Sequence, residues 1–134
     1  MPPDLIQLLV ADHRRLEALF AEIETAPEPA ARHAAVDAAL AALAGHAADE
    51  AEFLHPALRE HLPAGSEIAA YEGGEHARID ELLCSVDGLG AALDTVRQHM
   101  QEEETELFPR LARACPDGTL RELGERLESA RVAD

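Results

Sequence analysis

The sequence predicts an all-α protein, an up-down-up-down antiparallel four-helix bundle with a short C-terminal fifth helix. Three observations carry this. Ala and Leu dominate a chain with no Trp, one Tyr and three Phe, a composition suited to helices packed closely through small side chains. Apolar residues recur at steps of three and four through four long stretches, and no stretch alternates with the period of a strand. One segment also occurs twice: HAADEAEFLHPAL from His46 and HMQEEETELFPRL from His99 share their His, Glu, Pro and Leu at an offset of 53 residues. A second matched pair, DHRRLEALF around His13 and EHARIDELL around His76, precedes each copy. The 134 residues therefore read as one domain, a bundle over about 4–115 and a last helix over about 118–131, built on a duplicated two-helix unit.

The first helix begins after Pro2-Pro3 with Asp4 as N-cap and Gln7 three residues on, a capping-box arrangement, and stops before Pro27. Its inner line runs Ile6, Leu9, His13, Leu16, Phe20 and Ile23, so a histidine takes a core position. The second starts near Pro29, where a missing N–H costs nothing. Its line runs Val36, Leu40, Leu43, His46, Glu50 and then Phe53 or Leu54, and Pro56 should kink or end it before Pro63-Ala64-Gly65.

The third opens at Ser66 as N-cap, closes at Asp87-Gly88 and carries Ile68, Glu72, His76, Ile79, Leu83 and Val86 on its inner line. Gly73-Gly74 inside it costs roughly 1 kcal/mol each relative to Ala, which predicts a close helix contact or a local distortion. The fourth carries Leu89, Ala92, Val96, His99, Glu103, Leu107 and Leu111, is kinked or terminated near Pro109, and ends by Cys115-Pro116. Thr119 with Glu122 three residues on starts the fifth, whose Leu120, Leu123 and Leu127 share one side; it should pack across the bundle as a lid.

The formal charge of -16, with eleven Arg and no Lys, repels phosphate backbones and anionic lipid, which argues against nucleic acid and membrane surfaces as partners. No run approaches the roughly 20 apolar residues of a membrane helix, and no signal-type segment opens the chain. A cytoplasmic protein is expected, with Cys84 and Cys115 as ordinary packed thiols.

Glu50 and Glu103 stand in otherwise apolar lines. A buried carboxylate costs several kcal/mol unless it is paired or bound to a metal, and no Arg falls on the inner lines to neutralise either one. His13, His46, His76 and His99 point the same way, so a cation is the simplest solution. Each half supplies two imidazoles and one carboxylate, which predicts two cations, and mixed N/O donors suit Fe, Mn or Zn better than Mg or Ca. His33, His55 and His61 fall outside the pattern, His55 about 180° from His46, and are expected at the surface. Asp49, Glu102 and Glu104 point off the inner line and are expected in solvent, although a His-x4-acid register from His99 would select Glu104 over Glu103.

On His13, His46-x3-Glu50, His76 and His99-x3-Glu103, the chain resembles the hemerythrin-like, HHE cation-binding domains over residues of about 4 to 115. The resemblance implies a four-helix bundle holding a non-haem di-iron centre with an oxygen bridge. His13 and His46 would bind one iron, His76 and His99 the other, and Glu50 and Glu103 would bridge them. The oxygen carriers of that family have His-x3-His in the third helix and His-x4-Asp in the fourth. Here Glu72-x3-His76 and His99-x3-Glu103 stand instead, so metal binding is implied more firmly than reversible O2 carriage. Glu72, one turn before His76, can close the shell of the His76/His99 iron; its counterpart in the first half, Leu9, cannot ligate. The ligand implied is a small molecule such as O2, peroxide or NO, bound for sensing, storage or scavenging. Two other classes compete with this one, an enzyme turning over peroxide or reactive nitrogen species at the same irons, and a structural or zinc-binding bundle.

Overall fold

The computed structural model describes residues 2–85 and 88–133. These residues are helical throughout their regular structure: α1 (Leu5–Thr25), α2 (Pro29–Asp49), α3 (His55–His61), α4 (Gly65–Leu83), α5 (Leu89–Glu102), α6 (Phe108–Ala114) and α7 (Thr119–Ala133). Two π-helical segments, Glu50–Leu54 and Glu103–Leu107, join α2 to α3 and α5 to α6. The described residues thus form five continuous helices and no strand. Val86 and Asp87, expected at the end of the third helix, lie outside the described residues. Helix α1 packs on α2 and α7, and α4 packs on α3 and α5.

Asp4 caps α1 as its spacing predicts: its carboxylate accepts from the Gln7 N–H while the Gln7 side chain accepts from the Asp4 N–H. Pro29 is the first residue of α2. Helix α4 starts two residues early, with Ala64 in a left-handed turn (φ 58°) at the N-cap place expected for Ser66 and no side chain capping the helix. Gly65 then lies against the Leu58 carbonyl, where a Cβ would clash. Gly73 and Gly74 do not mark a close contact or a distortion; α4 runs unbroken through them and a Cβ at either would meet open space. Thr119 is the first helical residue of α7 and follows Gly118 at φ 89°. Helix α7 lies along α1, held close by Gly124, whose added Cβ would sit 2.6 Å from the Pro3 carbonyl oxygen.

Neither Pro56 nor Pro109 ends its helix. Each is the second residue of the α-helix that follows a π segment. A proline ring clashes with the carbonyl four residues back, Glu52 or Thr105 here, and widening the preceding turn relieves the clash while the chain stays helical. The N–H of His55 accordingly bonds to the Glu50 carbonyl, and that of Phe108 to the Glu103 carbonyl, both five residues back. The extra residue rotates everything beyond it by about 100°. His55 is therefore brought inside at 5% exposure, against the surface position its spacing predicts, and Phe108 rather than Leu107 enters the core.

On α2 the buried line is Ala35, Ala39 and His46, while Leu40 is 37% exposed and Val36 and Leu43 are partly buried. The small residues, not the large ones, face the closely packed α1. Cys84 is exposed rather than packed, and Cys115 is partly buried; both are free. Two apolar clusters result. One gathers Leu5, Leu9, Phe53, Leu54, Leu58, Phe108, Leu111 and Leu127; the other gathers Leu16, Phe20, Ile23, Ala39, Ile79, Leu93, Val96 and Met100. His13, between Leu9 and Leu16 on α1, belongs to the polar layer that separates them.

Candidate metal centre

Four helical lines deliver the histidines. His13 comes from α1, His46 from the last turn of α2, His76 from α4 and His99 from the last turn of α5. Glu50 and Glu103, one turn beyond His46 and His99, are the first residues of the two π segments. His13, Glu50 and Glu103 are essentially sealed from solvent, at 0%, 0% and 1% exposure.

The carboxylates face two ways. Glu50 Oε2 lies 3.4 Å from His46 Nε2 and its Oε1 lies 3.0 Å from His76 Nε2. Glu103 Oε1 lies 3.2 Å from His13 Nε2 and its Oε2 lies 3.5 Å from His99 Nε2. The rings pair accordingly, His13 with His46 at 5.0 Å between centroids and His76 with His99 at 5.3 Å. Glu72 is buried rather than turned to solvent, and its Oε2 is 3.7 Å from His99 Nδ1.

This donor set fits a metal site. The buried atoms without a hydrogen-bond partner include His13 Nε2, His46 Nε2, Glu50 Oε2, Glu72 Oε1, both ring nitrogens of His99 and both oxygens of Glu103. Buried polar atoms are ordinarily satisfied, so this concentration of orphans in one layer marks the place of a missing partner. Ligand atoms of His13, His46, Glu50 and Glu103 lie within 4.8 Å of one another, as do those of Glu50, His76 and His99 and those of Glu50, Glu72, His99 and Glu103. Mixed imidazole and carboxylate donors suit transition metals.

Protonation follows from the same geometry. Burial raises the carboxyl of Glu103, and the neighbouring Glu50 charge raises it further. Burial also opposes charge on Glu50, but its contacts with His46 and His76 hold it well below the usual carboxylate range. Burial lowers His13. For His46, burial is outweighed by the Asp12 and Glu50 carboxylates, and its imidazolium persists up to about 9.

A further ring of residues is not foreshadowed by the helical periodicity. Asp12 Oδ2 lies 3.0 Å from His46 Nδ1 and accepts from Arg131 of α7 at 2.7 Å. Glu104 is not free in solvent: its Oε2 is 2.7 Å from His13 Nδ1 and Arg14 holds its other oxygen. Asp49, also expected in solvent, is partly buried and accepts from Arg131; Glu102 is partly buried as well. His55 stacks on His76 with centroids 5.7 Å apart. His33 is exposed and His61 partly so. The one sequence signal for Asp12 and Glu104 is adjacency to His13 and Glu103, which does not say whose partner each becomes.

Among the described residues, three clefts touch residues of the centre; one, of about 580 Å³, runs past Asp12, His46, Asp49 and Arg131, and the other two approach the buried donors. The second, of about 500 Å³, is lined by His46, His76 and His99 together with Leu16, Leu40, Leu43, Ile79, Leu83, Val96 and Met100. The third, about 160 Å³, is lined by Tyr71, Glu72, Glu102, Glu103 and Glu106 with Ile68, Leu107 and Arg110. No helix among the described residues is long and apolar enough to cross a membrane. A family model described as the hemerythrin HHE cation binding domain matches residues 4–111. No curated protein and no solved structure matches the chain.

Proposed function

The chain belongs to the hemerythrin HHE cation-binding domain family, and on that premise we propose that it is a cytoplasmic non-haem di-iron protein that binds O2 or a related small molecule, as a sensor, store or scavenger. The observation that carries this reading is that Glu50 and Glu103, both buried, each turn one oxygen toward either histidine pair. Carboxylates flanked in this way could hold two neighbouring cations, giving one oxygen to each. In this reading His13 and His46 hold one iron, His76 and His99 the other, and the single domain is an up-down-up-down bundle that brings the four histidine helices together.

Two irons held in this set would supply an exchangeable coordination position for a small molecule such as O2, peroxide or NO. The chain's own residues decide where that position lies. Glu72 completes the shell on the His76/His99 side, whereas Leu9 at the matching place cannot ligate. The open position is then on the His13/His46 iron, on the side where Leu9 packs. Azide titration of iron-loaded protein tests this. One azide per centre is expected in the wild type and a second in Glu72→Leu. An unchanged stoichiometry in the variant rejects the role of Glu72 as a ligand, and no azide-dependent spectral change at all rejects an exchangeable position.

A further inference from the structure

The two histidine pairs differ in what lies behind them. His13 Nδ1 is backed by Glu104 at 2.7 Å, and the other oxygen of that carboxylate is held by Arg14. His46 Nδ1 is backed by Asp12 at 3.0 Å. The Asp12 oxygen in turn accepts from Arg131 at 2.7 Å, and Arg131 is fixed by Asp49 at 2.8 Å and 3.1 Å. On the other side His99 Nδ1 has no hydrogen-bond partner, its nearest carboxylate oxygen being that of Glu72 at 3.7 Å. His76 is 17% exposed, and among the described residues it pairs with no carboxylate but Glu50.

A carboxylate at Nδ1 fixes the imidazole tautomer, so that the Nε2 lone pair faces the metal, and it also holds the ring plane and raises the basicity of the ligand. An arginine on that carboxylate stops it turning away. We infer that the two metal positions are unequal by construction: the His13/His46 position is preorganised by the Glu104–Arg14 and Asp12–Arg131 pairs and takes its cation first and more tightly. Arg131 is thus a positioning residue for metal binding. It lies on α7, outside the residues 4–111 that the family model matches, so this chain's C-terminal helix serves the centre through a relay of Arg131, Asp12 and His46. The inference rests on the proposed two-metal centre and adds an order of filling to it.

Co2+ titration of the metal-free full chain, followed by visible absorption, tests it. Two equivalents are expected in two resolvable steps. Asp12→Asn and Arg131→Gln should weaken the tighter step by about 10- to 100-fold, leave the weaker step within roughly threefold, and Arg131→Lys should recover part of the loss. Arg126→Gln is the control for simple loosening of α7, since Arg126 lies over the Phe53 ring at 5.7 Å; it should leave the tighter step in place. A single step of two equivalents overturns the inference, as do equal effects on both steps or equal effects of Arg126→Gln and Arg131→Gln. Binding of less than one Co2+ by the wild type overturns the metal centre itself, a result distinct from either.

Discussion

Glu50 and Glu103 occupy equivalent places, 53 positions apart, each as the first residue of a π-helical segment and each sealed from solvent. Two carboxylates in one buried layer cannot both stay ionised without a compensating charge. Their coupling decides what a substitution at either does.

In the metal-free chain Glu103 is the member pushed toward its neutral form, by burial and by the Glu50 charge. Glu103→Gln therefore mimics that form, and the metal-free melting temperature should move by the equivalent of about 1 kcal/mol or less. Metal at a thousandfold excess over its Kd adds about 4 kcal/mol of stability, and most of that increment should be lost in Glu103→Gln and in His46→Ala. Thermal melts with and without metal, alongside metal content, check this. Full metal content with an undiminished increment in Glu103→Gln would remove Glu103 from the ligand set.

Metal uptake should expel protons. His46 is protonated up to about 9 in the metal-free site, because Asp12 and Glu50 outweigh its burial, and burial with the Glu50 charge pushes Glu103 toward its protonated form. Any such proton must be lost before these atoms can ligate. Apparent affinity should thus rise with pH through neutrality, with net proton release on metal uptake at pH 7. Calorimetry of metal binding in buffers of differing ionisation enthalpy counts them. Binding at pH 7 with no proton release contradicts a metal-free site in which His46 is protonated.

His55 is buried beside His76, and burial lowers its pKa. A folded-state pKa below the unfolded value of about 6.5 means stability that is full above that pH and lost as the pH falls through it. His55→Phe keeps the ring stack and removes the titration. Urea unfolding of metal-free protein at pH 7.5 and 5.5 should show a smaller acid loss in the variant than in the wild type. An equal loss would mean that other groups dominate the acid limb.

The two thiols should separate by reactivity. Cys84 is exposed at the rim of the cleft of about 500 Å³, while Cys115 is partly buried, and burial raises its thiol further from ionisation. Since the thiolate is the nucleophile, iodoacetamide at pH 7.5 should modify Cys84 first and Cys115 more slowly, the gap narrowing as the pH rises. Mass spectrometry of peptides over time resolves the two, and equal rates would contradict the difference in environment.

Much of this architecture is legible in the chain because function and fold use the same spacing. His13 and Glu50 interrupt apolar lines of helical period, and only a helix turns that spacing into one inward face. Asp4 and Pro29 mark two helix starts by local chemistry alone. What periodicity does not anticipate is the π turn before Pro56 and Pro109. A straight 100° count sends His55 outward and Leu107 inward, and one inserted residue reverses both. Likewise the Leu residues of α2 exceed Ala in hydropathy, yet Ala35 and Ala39 are the buried ones and Leu40 is exposed. The partners Asp12, Glu104 and Arg131 depend on contacts across 34, 91 and 119 positions, which no local pattern encodes.

The most direct test of the central claim is metal analysis of protein purified aerobically from iron-supplemented culture, read together with its near-ultraviolet spectrum. Two irons per chain, with absorption lost on reduction or chelation, are expected from a centre built on His13, His46, Glu50, His76, His99 and Glu103. Less than one iron per chain with a flat spectrum, or stoichiometric zinc in its place, would contradict it.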